Sequence, residues 1–244
     1  MEKRCNSSGI KVVYDDLTES VRPFILCCVV KKMSLQDNNK LRKFMRIQTK
    51  IHDSDIGGKR ENSSIGTHDL SKIALGGFIR YTAKTPETLS FIPLGRHENI
   101  TAFELITSLK AEAQTIRKQI RRKITSGIYK YLHLVENKQR LACLEDAFGN
   151  VICMPPLLNS ELTKVSTETS DIFVEITSSS SMTDCYATME EFLKQLLIAG
   201  FGEKPNLFDR FDHLTVEPVR IVDSYGQLKA IYPSTTEIYL DRYR

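Results

Sequence analysis

The stretch from Cys143 to Thr177 sets the tightest limit on how this chain folds. Two short apolar runs flank the turn Asp146-Ala147-Phe148-Gly149, the pattern of a β-hairpin. The second arm, Val151-Ile152-Cys153-Met154, has to stop at Pro155-Pro156, because proline has no N–H for a ladder and steers the residue before it away from helix. A polar connection then leads to Ile172-Phe173-Val174-Glu175-Ile176-Thr177, rich in the β-branched and aromatic residues that suit a pleated sheet. Glu175, charged inside that run, either faces solvent or lines a polar pocket. With Asn159 and Ser160 displayed after the double proline, these strands are expected to form the floor and rim of a ligand cleft.

Upstream, Phe24-Ile25-Leu26-Cys27-Cys28-Val29-Val30 is continuously apolar and suits a strand buried on both faces. Leu41, Phe44, Met45, Gln48 and Ile51 recur at three- and four-residue spacing, which predicts an amphipathic helix over roughly residues 37–52. Its other face carries Lys40, Arg42, Lys43, Arg46 and Lys50 and reads as a solvated face. Residues 53–70 read as a loop, with Gly66-Thr67-His68-Asp69 as a turn entering a short helix capped by Thr67 or Asp69. His68 is either a general base, since imidazole titrates near neutrality, or a histidine that simply bonds to the backbone. Strands are expected near Phe78–Ala83 and Leu89–Ile92, then a helix from about Thr101 to Lys123 opened by a Thr101/Glu104 capping box. After four serines at Ser178–Ser181, the stripe Cys185, Met189, Phe192, Leu193, Leu196 and Leu197 predicts a core-facing helix closed by Gly200 and Gly202. A last hairpin is expected over Leu214–Val222 and Leu228–Tyr232. This order lacks a regular βαβ alternation and favours an α+β fold, with helices packed on a largely antiparallel or mixed sheet.

With 244 residues, 41% of them apolar, the chain can build one sizeable core, or at most two small ones. No apolar run is long enough to cross a bilayer, and residues 1–20 lack the apolar core of a signal peptide. The six cysteines show no C-x-x-C spacing, so reduced thiols in a cytoplasmic setting are expected. No pair of histidines, and no histidine with a cysteine, sits at metal-ligand spacing, and neither a Gly-rich phosphate loop nor a G-x-S-x-G elbow is present. The sequence therefore offers no cofactor and no metal site. Charge is uneven. From Thr101 to Lys130, Lys110, Arg117, Lys118, Arg121, Arg122, Lys123 and Lys130 face only Glu104 and Glu112, a surplus of five, so with +4 for the whole chain the remainder carries −1. Clustered cations are what phosphate contacts use, and Lys110, Arg117, Lys118, Arg121, Arg122 and Lys123 are the RNA-binding candidates against the alternative of a solvated basic face.

The pieces IGTHDL, YTAKTPETLSFIPL, YLHLVENK, VICMPPLLNSE and TSDIFVEIT, in that order, resemble the B3/B4 domain of the eukaryotic-type phenylalanine–tRNA ligase β subunit. The pieces RPFILCCVV, RKQIRRK and VRIVDSYGQLKAIYPS resemble a leucine-rich-repeat relative of that module more closely, although no leucine-rich repeat occurs here. The resemblance covers roughly Val12 to Ser234. It implies a flexible N-terminus over 1–11 and one B3/B4-like domain over 12–240, with a basic helical insertion at about 101–125. In the ligase this module is an editing domain that hydrolyses mischarged tRNA, and carried over residue by residue it points to Thr67, His68, Asn159, Glu175 and Thr177 as pocket residues. These are polar groups suited to orienting a water and stabilising an oxyanion. The family strand continues into a Gly-Thr-Asp turn; here the same place holds Ser178-Ser179-Ser180, with no carboxylate. The expectation is a tRNA- or ribosomal-RNA-binding protein of the translation machinery, more a binding module than an enzyme. The alternatives are an aminoacyl-tRNA hydrolase contributing to phenylalanine–tRNA ligase, or a purely protein-binding role beside translation proteins.

Overall fold

The apolar runs pair across long separations in the computed structural model, which describes residues 9–120, 127–202, 213–233 and 237–239. In chain order the elements are β1 (Lys11–Tyr14), β2 (Phe24–Val30), α1 (Asn38–Asp53), β3 (Ser63–Asp69), β4 (Ile79–Lys84), β5 (Ser90–Phe91), β6 (Ile100–Thr101) and α2 (Ala102–Ile120). There follow β7 (Leu141–Glu145), β8 (Val151–Met154), β9 (Leu158–Asn159), β10 (Ile172–Ser178), α3 (Met182–Ile198), β11 (His213–Val222), β12 (Leu228–Tyr232) and β13 (Glu237–Tyr239). Among the described residues one sheet runs β3-β10-β2-β11-β1-β4-β7-β8-β9, with β12 and β13 attached to β11. β1 is parallel to both β4 and β11, and the other pairings are antiparallel, so the sheet is mixed. Its two ends meet where Asn159 Nδ2 on β9 donates to the Thr67 carbonyl on β3 at 3.2 Å. The result is a nearly closed barrel in an α+β fold.

Helices α1 and α3 cover one side. Asp37 caps α1 by accepting from the N–H groups of Asn39 and Lys40, and Ser181 caps α3 by accepting from Asp184. The α3 stripe expected from spacing is buried throughout: Cys185, Met189, Phe192, Leu193, Leu196 and Leu197 pack into the main core. Phe192 meets Phe44 of α1 edge-on at 5.9 Å. A second core lies under α2, where Leu105, Ile106 and Leu109 meet Tyr131, Leu132, Cys143 and Met154. The α2 capping box forms, Thr101 N–H reaching Glu104 Oε2 at 2.8 Å and Glu104 N–H reaching Thr101 Oγ1 at 3.1 Å. Both expected hairpins form, β7–β8 and β11–β12. Cys27, Cys28, Cys143, Cys153 and Cys185 are buried free thiols.

The stretch expected as a loop over 53–70 departs from the reading. Ser63–Asp69 is a fully buried strand, in unbroken register with β10. Small polar residues form it because β10 offers a complete ladder, and that tertiary pairing outweighs weak local preference. Thr67 lies inside the strand rather than at a helix start. Asp69 caps the short 3₁₀ turn Leu70–Lys72 by accepting from Ser71 N–H at 3.1 Å. Strand β1 begins at Lys11, with Ile10 already buried.

Candidate functional site

Strand β3 ends one side of the sheet path: one edge pairs with β10, and on the other edge side chains meet backbone groups of Ile65 and Thr67. Ile65 N–H donates to His52 Nε2 of α1 at 2.8 Å, so this imidazole accepts and is neutral. Burial, with the charges of Arg60, Lys130 and Arg22, holds His52 well below the usual imidazole range. Gln48, one turn earlier on α1, donates to Thr67 Oγ1 at 3.0 Å. With Asn159 on the Thr67 carbonyl, α1, β3 and β9 are tied into one frame. Neither His52 nor Gln48 was singled out from sequence as a site residue; a polar residue inside the apolar stripe of α1 was the available signal.

Over this frame opens a cleft of about 620 Å³. Its floor includes Thr67, Asn159 and Glu175, and Arg42, Arg46, Arg60 and Lys164 stand among its lining residues. Two of these arginines belong to the face of α1 that reads as merely solvated in sequence. The loop before β3 places Arg60 with backbone φ +69°. Its Nη1 donates to the carbonyls of Pro156 and Leu157 at 2.9 and 2.8 Å, and its guanidinium lies 4.3 Å from the Tyr131 ring centre.

Glu175 sits opposite Gly66 in the β3–β10 ladder. The glycine is required here: a Cβ at that position would lie 1.9 Å from Glu175 Oε1. The carboxyl is buried, and desolvation pushes its pKa up to about 8. Cys153 Sγ on β8 lies 3.5 Å from Oε1, while Oε2 has no partner among the described residues.

His68 is fully buried and does not line the cleft. Its Nδ1 pairs with Thr163 Oγ1 at 2.8 Å, Nε2 has no partner among the described residues, and burial lowers its pKa to about 3. Thr177 is buried beneath the site, where its hydroxyl and carbonyl both accept from buried Arg22 at 2.7 Å. Thus Thr67, Asn159 and Glu175 come together at the cleft floor, whereas His68 and Thr177 lie behind it. On α2, Lys110 pairs with Glu136 at 3.2 Å. Arg117 and Lys118 are exposed, with no ion pair to another described residue. Arg121, Arg122 and Lys123 lie outside the described residues.

No protein-family model matches the chain. A phenylalanine–tRNA ligase β subunit from Methanosphaera stadtmanae is 33% identical over 166 residues, 68% of this chain and 26% of that protein. The Saccharomyces cerevisiae β subunit is 28% identical over 233 residues, 95% of this chain and 35% of that protein. The chain is homologous to the phenylalanine–tRNA ligase β subunit family. It spans about a third or less of the length of these relatives. An N-terminal fragment of the Pyrococcus horikoshii phenylalanyl-tRNA synthetase β subunit shares the fold, with a TM-score of 0.72 at 24% identity, over 96% of this chain and 57% of that one.

Within this β-subunit-related fold, the serines that stand where the resemblance implies Gly-Thr-Asp are committed to structure. Ser178 Oγ donates to the Asn62 carbonyl and accepts from the N–H groups of Ser180 and Ser181. Ser179 Oγ donates to the Glu61 carbonyl at 3.1 Å. They anchor the end of β10 to the loop before β3 and lead into the α3 cap.

Proposed function

We propose that the chain is a B3/B4-type domain of the cytoplasmic translation machinery that binds the aminoacylated end of a tRNA without hydrolysing it. The observation that carries this reading is a cleft of ligand-binding size with Arg42, Arg46, Arg60 and Lys164 around a floor of Thr67, Asn159 and Glu175. The cations suit the terminal phosphodiesters, and the floor suits the aminoacyl group. The histidine that would serve as base is sealed behind the floor with its pKa near 3, which supports binding over hydrolysis. Exposed Arg117 and Lys118 on α2 offer further cations to the nucleic acid. The finer likeness within the family is to the C-terminal B3/B4 half of the leucine-rich-repeat protein numbered forty-seven in its series.

Affinity for phenylalanyl-tRNA, measured against salt, tests the reading. Changing Arg42 and Arg46 together to Glu is expected to weaken binding at least about tenfold. Loss of two single-strand phosphate contacts also flattens the log–log salt slope by about 1.4. Equal affinities for wild type and variant would sink the proposal. The Arg117→Glu, Lys118→Glu pair reports how far α2 contributes. A hydrolase is the second reading, favoured by the open cleft with Thr67, Asn159 and Glu175 converging on it. Release of tyrosine from mischarged phenylalanine tRNA above the buffer rate would replace binding by editing.

A further inference from the structure

We infer that His68, Cys153 and Glu175 form a site for a thiophilic divalent cation, zinc by its ligand preference, inside the barrel beneath the cleft. Their ligand atoms lie within 4.8 Å of one another, and all three residues are buried. No short sequence spacing links them, since they sit on β3, β8 and β10 and meet only when the sheet curls. Two observations point to a guest rather than a filled core. His68 Nε2 and Glu175 Oε2 are both buried and both lack a hydrogen-bond partner among the described residues, an arrangement native interiors seldom keep. The two residues are 0% and 2% exposed.

The donor set favours this ion. Imidazole, thiolate and carboxylate are the usual zinc ligands, whereas magnesium and calcium prefer oxygen alone. Thr163 Oγ1 holds His68 Nδ1 at 2.8 Å, the kind of outer contact that fixes the ring of a metal-binding histidine and leaves Nε2 for the ion. One thiolate and one carboxylate neutralise a dication in place. That matters here, because the charges of Arg22 and Arg60 act on Glu175 and oppose an added cation. Three protein ligands leave one position open, and Glu175 also lines the cleft floor, which gives the ion a way in. An ion held so would join β8 to β3 and β10 across the barrel interior. The site shares Glu175 with the cleft floor, but metal uptake is read out without any RNA present.

The test uses the whole chain, reduced and dialysed against chelator, titrated with cobalt(II) and then zinc(II). One equivalent of cobalt should enter with a sulfur-to-cobalt charge-transfer band, and zinc should displace it and raise the melting temperature. Cys153→Ser should abolish the band and His68→Ala should weaken uptake at least about a hundredfold, while Cys5→Ser and Cys185→Ser should leave both intact. Where Cys153→Ser fails to fold, X-ray absorption of the zinc-loaded wild type decides. One sulfur at about 2.3 Å with the other ligands at about 2.0–2.2 Å supports the site. No stoichiometric uptake, a band that survives Cys153→Ser, or a shell of nitrogen and oxygen only overturns it.

Discussion

The seam between α3 and the sheet and the edge of β3 beneath α1 are both buried, and they are built by opposite means. Along α3 the contacts are apolar and collective: Phe192, Leu193, Leu196 and their neighbours each remove apolar surface from water, and no single partner is indispensable. Along β3 the contacts are polar and individual: His52 with Ile65, Gln48 with Thr67, Asn159 with the Thr67 carbonyl, and Arg22 with Thr177 and Ser64. The first tolerates exchange of shape within limits. The second loses a fixed partner with every substitution. Stability is concentrated in the seam, and the geometry of the cleft in the edge.

The sharpest test of that contrast is Phe192→Ala. Emptying a fully buried aromatic position between α3 and Phe44 is expected to cost about 3–5 kcal/mol in denaturant unfolding, against well under half of that for Phe192→Leu. A cost below about 1 kcal/mol would mean that the seam is not where the fold is held. On the edge, Arg22→Met keeps the length of the stem but takes the guanidinium away from the Thr177 hydroxyl and carbonyl and from the Ser64 hydroxyl, leaving the two hydroxyls only their bond to each other at 3.0 Å. A loss of about 3 kcal/mol is expected from the buried charge-assisted hydrogen bonds removed, together with weakened tRNA binding. Unchanged stability would show that water replaces the guanidinium without penalty.

Gly66→Ala tests the close approach of β3 and β10 beneath the cleft. The new Cβ would meet Glu175 Oε1, so the carboxyl must leave its place, at an expected cost of about 2 kcal/mol from overpacking. The double variant Gly66→Ala, Glu175→Ala should recover part of that loss, and urea midpoints for the four species give the coupling directly. Additive losses would disprove the close approach.

The seam was legible in sequence and much of the edge was not, for a physical reason. A stripe such as Cys185, Met189, Phe192, Leu193 and Leu196 carries its own period, so the helix and its buried face can be read from one segment. The hairpin before Pro155-Pro156 and the Thr101/Glu104 capping box are local in the same sense. Strand β3 has no such period: Ser63, Ser64, Gly66 and Thr67 are turn-like residues, extended only because β10 pairs with them. Glu175 and Asn159 could be placed at a cleft, since a charge in an apolar run and a polar residue after two prolines stand out. The burial of His68 could not be read, because the groups that seal it come from β8, β10 and the segment carrying Thr163. Nor could the turning of Arg42 and Arg46 toward the cleft, which depends on where α1 docks.

The smallest expected effect concerns pH, and His52 isolates it. In the folded protein its imidazole is neutral and accepts from Ile65 N–H, with its pKa held well below 6.5, whereas the unfolded chain binds a proton near 6.5. The unfolded state then binds more protons as pH falls through that value, so stability is complete above it and declines below it. His52→Gln offers a carbonyl oxygen that still accepts from the amide but does not titrate. Buried His68, also depressed, and Glu175, raised to about 8, contribute equally to both proteins and drop out of the difference. Between pH about 6.5 and about 5.5, wild type should lose about 1 kcal/mol relative to His52→Gln, and above pH about 7.5 the gap should be constant. Parallel stability curves down to pH about 5 would mean that the histidine is protonated or exposed in the folded state, and the polar edge would lose the contact that ties it to α1.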